Sequence, residues 1–151
     1  MEFRIEYTGC SEQRILTYDD KEFSFDMEPL VSEIDFDVVI NTLSLAVVDD
    51  KIVQLWGFLG LNKKMIVSDI IIPTNKKGVL RVLDKLKPGF AYSISKEEYP
   101  VYVNVLSGWV CIGNPHQQGN AVEFIDDCIA VIGDNKEFIS LWLKPKKLPV
   151  F

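Results

Sequence analysis

The chain is written in short apolar runs that alternate with polar residues and break at pairs of Asp, Asn or Gly, and this pattern restricts it to hairpins. Phe3, Ile5 and Tyr7 fall on one face of an extended segment. Ile15 and Tyr18, then Phe23 and Phe25, flank Asp19-Asp20. A β-branched run over 38–48 stops at Asp49-Asp50 and resumes as Ile52-Val53-Gln54-Leu55-Trp56. A second β-branched run, 65–72, ends at Pro73, and three more occupy 122–125, 129–132 and 138–143. Alternation with period two marks strands with one buried face. The breaks carry Asp, Asn and Gly because these residues bond to their own backbone or tolerate positive φ.

One segment departs from that period. Val79, Leu80, Val82, Leu83 and Leu86 recur at helical spacing, with Arg81, Asp84, Lys85 and Lys87 between them. The spacing predicts a short amphipathic helix near 76–87, capped by Thr74 or Asn75 and stopped by Pro88-Gly89. About ten residues cannot hold a helix alone, so it would lie against a sheet. The expected fold is α+β: mainly antiparallel β, a sandwich or open barrel of short hairpins, with that single helix. No linker composition interrupts residues 1–151, which read as one domain, and 48% hydrophobic residues with 16 Gly and Pro exclude a disordered chain.

Two stretches echo each other. Leu45 to Trp56 and Ile129 to Trp142 both run strand, acidic turn, lysine, strand, tryptophan, at an offset of 84 to 86 residues. A duplicated hairpin would produce this, and so would the ordinary grammar of any hairpin.

Catalytic chemistry finds little footing. His116 is the only histidine, so no pair of histidines can bind a metal. Cys111 and His116 lie five residues apart, but Cys111 sits in Trp109-Val110-Cys111-Ile112, which reads as a buried strand. A reactive thiol needs an electropositive, partly exposed setting. Neither a GxSxG elbow nor a phosphate loop is present; Gly57-Phe58-Leu59-Gly60 lacks the lysine and hydroxyl of the latter. Asp19-Asp20, Asp49-Asp50 and Asp126-Asp127 sit where turns are expected, Glu97-Glu98 elsewhere, and no calcium loop appears. No catalytic residue, metal site or cofactor is therefore expected.

Charge is distributed unevenly. Residues 1–50 hold 13 acids and 3 bases, residues 51–100 hold 4 acids and 9 bases, and the whole chain carries a net charge of -6. Folding does not require this asymmetry, since a surface ion pair contributes about 0–1 kcal/mol. A one-signed surface can instead raise association rates by roughly 10–10³. Asp26, Glu28, Glu33, Asp35 and Asp37 are the expected partner-binding residues. The last three alternate with Ile34 and Phe36 and would stand ~6.6–6.8 Å apart on one strand face, too wide to chelate one small ion but suited to a row of cations. The alternative is that these acids fold back on Lys63, Lys64, Lys76, Lys77, Arg81, Lys85 and Lys87.

These readings lead to a non-catalytic acidic module that binds a basic protein, of the kind represented by inhibitors and immunity-type proteins. Nucleic acid is disfavoured by the net charge. A small-ligand domain or hydrolase-like enzyme would use a pocket between Gly113 and Asn120, with His116 assisted by Asp126 or Glu123. A structural or oligomer-forming subunit would draw on the hairpin echo and on exposed strand edges. No apolar run can span a membrane, the start lacks the basic and apolar segments of a signal peptide, and three widely spaced cysteines fit a reducing cytoplasm.

Overall fold

A computed structural model describes all residues, 1–151. Fourteen strands follow in chain order: β1 Phe3–Glu6, β2 Ile15–Asp19, β3 Ser24–Glu28, β4 Phe36–Ile40, β5 Leu43–Val48, β6 Lys51–Phe58, β7 Lys76–Lys77, β8 Val79–Val82, β9 Ala91–Ser93, β10 Val101–Asn104, β11 Trp109–Gly113, β12 Asn120–Ile125, β13 Cys128–Ile132 and β14 Phe138–Leu143. The fold is all-β. Its one helical turn is a 3-10 turn at Lys63–Met65.

The helix expected near 76–87 is not formed. Residues 76–77 and 79–82 are strands instead, and β8 pairs with β1, Leu80 opposite Ile5 and Val82 opposite Phe3. Leu80 and Val82 are buried while Val79 and Arg81 are half-buried, a period of two. So apolar a cluster satisfies both periods, and pairing with β1 decides between them because a ten-residue helix gains little by itself. The run over 38–48 also divides: Asn41, at a φ of 53°, turns the chain between β4 and β5.

The strands form two sheets. The first has the order β1-β8-β6-β5-β4-β9, with the β2–β3 hairpin joined to the far end of β6; the second has the order β10-β11-β14-β13-β12-β7. Position by position the directions agree. Every neighbouring pair is antiparallel except the last in each sheet, β4 with β9 and β12 with β7. The inner faces of both sheets share one apolar core, including Phe3, Phe25, Leu43, Leu45 and Leu55 from the first and Val110, Phe124, Ala130 and Leu141 from the second.

The hairpin echo is structural. β5 pairs with β6 through Ser44↔Trp56, Leu45↔Leu55 and Ala46↔Gln54, then shifts so that Val47 faces Ile52. β13 pairs with β14 through Ile129↔Trp142, Ala130↔Leu141 and Val131↔Ser140, then shifts so that Ile132 faces Phe138. Both hairpins therefore carry one extra residue at the same place, Val53 and Ile139, and both put a tryptophan three residues later. Connectivity differs, since β8 follows its meander and β11 precedes its own.

The run over 65–72, which reads as a strand, joins neither sheet as a named strand. It leaves β10, where Ile66 bridges Val103, and ends at β7 on the opposite edge, against β12. Between those points it crosses the outer face of the second sheet as a strap. Ile70 packs there with Cys111, Ala121, Ile129, Val131, Ile139 and Trp142, and the Asn104 side chain donates to the Ile70 carbonyl at 3.2 Å. Its apolar residues serve a covering role, so β-branched content alone is no sign of ladder pairing. No helix is long and apolar enough to cross a membrane.

Candidate binding face

The outer face of the first sheet has no such strap along its whole width. Residues directly paired across strands share a face, and residues two apart along a strand do as well. Phe58 faces Ser24, and Trp56 faces Ser44, which faces Val39, which faces Ser93. Two residues further along β3 and back along β6 come Asp26 and Trp56; two further still come Glu28 and Gln54. Asp37 stands in the next row, between Ala46 and Ala91. The inward alternates along the same strands, among them Leu16, Tyr18, Phe25, Met27, Val38 and Leu45, are all buried.

Part of this face is covered from within. The segment 29–34 passes over the end of the sheet near the β5–β6 turn, where Gln54 accepts from the Val31 amide at 2.7 Å and donates back to the Val31 carbonyl. Arg14 pins the same segment, donating to the carbonyls of Val53 and Pro29. Beyond it, Trp56 is 46% exposed and Phe58 56%, their rings edge to face at 6.2 Å. Asp19, Asp26 and Glu28 are exposed on the neighbouring hairpin.

Of the 13 acids in residues 1–50, only Glu6 and Glu12 have a cation within 4.0 Å: Glu6 has Arg4 and Arg81, Glu12 has Arg14 and Lys51. The Arg81 hydrogen bond holds the Glu6 carboxyl below its ordinary value. Among the central cations, Lys77 pairs instead with Asp126, and Lys63, Lys64, Lys76, Lys85 and Lys87 pair with no acid. The tail runs along β2, its Lys146 amide donating to the Leu16 carbonyl, without an ion pair to the hairpin.

The structure sorts the five residues singled out from the sequence. Asp26, Glu28 and Asp37 lie on the outer face. Glu33 and Asp35 precede β4 and are not strand residues, so the expected row of three on one strand does not exist. Asp35 is occupied locally, accepting from the Asp49 amide at 2.9 Å. Asp37 has a buried carboxylate oxygen, Oδ1, with no hydrogen-bond partner, and burial pushes its carboxyl above the ordinary value. Trp56 and Phe58 were not singled out as a pair. The sequence pattern ends the apolar run at Trp56 and assigns Phe58 to the glycine-flanked stretch 57–60, whereas β6 extends through Phe58 and puts both rings on one face.

A cavity of about 490 Å³ borders the 113–120 loop, lined mainly by polar groups that include Asp69, Thr74, His116 and Gln117. His116 Nε2 stands 3.7 Å from Asp69, both exposed. Asp126 and Glu123 are elsewhere: Asp126 faces Lys77 and accepts from Ser11, and Glu123 accepts from the Asp127 amide. Neither lines the cavity, and no helix closes it. Cys111 is buried in β11, with its thiol pushed up to about 12 by burial.

No protein-family model matches the chain, and no curated protein matches it.

Proposed function

We propose that this chain is a non-catalytic binding module of the reducing cytoplasm that presents the outer face of its first sheet to a basic protein, as an inhibitor or immunity-type protein would. The observation that carries the reading is a sheet face, open over Trp56 and Phe58, that also carries Asp26, Glu28 and Asp37, none of the three in an ion pair. Interfaces concentrate binding energy in a few buried aromatic anchors, while surrounding charges steer the encounter. A tryptophan in the middle of a sheet face, beside Phe58 and the small Ser44 with carboxylates on the same face, has that composition.

The test compares affinity captures from native lysate by the wild type, by Trp56→Ser and by Asp26→Asn/Glu28→Gln, each at low and high salt. A basic protein held by the wild type, lost with both variants and released by salt supports the reading. A capture that ignores all three substitutions rejects it.

The cavity beside His116 favours a second reading, a site for a small polar ligand. A ligand screen read by thermal shift would support it only through a compound whose stabilisation disappears in His116→Ala.

A further inference from the structure

The two sheets can be compared place by place, and the comparison indicates what kind of partner segment the open face accepts. By register, Trp56 corresponds to Trp142, Ser44 to Ile129, Ala46 to Val131 and Asp37 to Ala121. In the second sheet these positions form the floor under the strap, and Trp142 is 1% exposed with Ile70 in its cluster. In the first sheet the same floor is open over Trp56.

We infer that the face takes an extended segment of the basic partner, lying across the strands as the strap lies across the second sheet, with an aliphatic side chain on Trp56 and a lysine or arginine at Asp37. This rests on the docking reading above. Two differences between the floors define the chemistry. Ser44 stands where Ile129 does, which leaves more room for the incoming chain beside the tryptophan, whereas Ala46, paired with Gln54, is already covered. Asp37 replaces Ala121, and a carboxylate placed under a cover must be paired or it is strongly disfavoured. Its Oδ1 already lacks a partner before anything docks. The strap itself has the required layout, aliphatic residues Ile66, Val67, Ile70, Ile71 and Ile72 broken by Ser68-Asp69 and lying between Lys63-Lys64 and Lys76-Lys77, and it ends against β12, the counterpart of the strand that holds Asp37.

A synthetic peptide with the sequence of residues 63–77 is therefore a suitable probe, titrated into the full-length protein and followed by tryptophan fluorescence and calorimetry. Expected is saturable, salt-sensitive binding that weakens more than about tenfold in Trp56→Ser, the loss typical of an anchor residue. Binding should also weaken in Asp37→Asn and with a peptide carrying Ile70→Ser, and stay unchanged in Asp134→Asn on the β13–β14 turn. Binding that survives Trp56→Ser, or an equal affinity for a ten-residue oligolysine, overturns the inference. So does a wild-type dimer in light scattering that Trp56→Ser converts to a monomer, because the occupant is then a second copy. If the peptide fails while the face variants still lose the captured protein, the strap-like mode is wrong and the docking reading stands; if no captured protein responds to those variants, both fall.

Discussion

Trp56 and Trp142 occupy the same register position in two hairpins built alike, each after a leucine and three residues past the bulge, yet one is 46% exposed and the other 1%. The difference lies in the cover. The strap passes over Trp142, while the segment 29–34 stops at Gln54 and leaves Trp56 uncovered. The indole N–H of Trp142 donates to Ser140 Oγ at 3.1 Å inside that covered layer.

The two tryptophans should therefore separate stability from binding. Trp142→Ala is expected to destabilise by about 3–5 kcal/mol, the range for deleting a buried aromatic side chain. Trp56→Ala should cost less than about 1 kcal/mol, as surface changes usually do. Urea unfolding of both variants reads the difference directly.

Asp37 gives a pH signature. Burial raises its carboxyl, so the folded state holds that proton more tightly than the unfolded chain. The stability due to this proton is fully present below the ordinary value of 3.8 and is lost as pH rises through the folded value. Asp37→Asn should thus stabilise the free protein at pH 7 by under about 1 kcal/mol, a fraction of the ~1–3 kcal/mol for a fully buried unsatisfied group. The gain should vanish below pH 3.8 in a series of denaturation midpoints. The same substitution weakens docking, so stability and affinity move in opposite directions.

Most strands were legible because their signal is local. Short apolar runs place β1, β2, β3, β6, β12, β13 and β14; Asp49, Asp50 and Asp127 take the positive φ expected of turn acids, whereas at the β2–β3 and β13–β14 turns it falls on Phe23 and Lys136. Two segments failed where a local pattern had two meanings. Val79 to Leu86 fits both periods, and only the distant β1 strand selects one. The strap is as apolar as a strand because it lies on Trp142 and Ile129, a fact about tertiary cover that no local window contains. The candidate face is only partly legible: charge counts single out Asp26, Glu28, Glu33, Asp35 and Asp37 alike, of which Glu33 and Asp35 precede β4, and the exposure of Trp56 depends on where other segments end.

Gly57 should hold the aromatic pair in place. It lies between Trp56 and Phe58 at a φ of 148°, and a Cβ there would meet the Thr42 carbonyl oxygen at 2.6 Å. That oxygen belongs to backbone and cannot yield cheaply. Gly57→Ala is expected to destabilise by more than about 1 kcal/mol, the direction for a positive-φ glycine. It should also change the exposure of Trp56, seen as a shift in fluorescence quenching by iodide.

The strap can be tested by thiol chemistry. Cys10 is exposed, Cys111 lies beneath the strap, and Cys128 lies in the main core. Burial raises the thiols of Cys111 and Cys128, and the thiolate is the reactive form. A disulfide-forming reagent should therefore label one thiol in the native protein and three in urea. Ile70→Ala removes the strap's contact with the second sheet and is expected to cost about 2–5 kcal/mol. It should speed the labelling of Cys111 while Cys128 stays slow, because the core between the sheets does not depend on the strap. Equal acceleration of both would mean that the variant unfolds globally, and an already fast Cys111 in the wild type would mean that the strap does not cover the sheet.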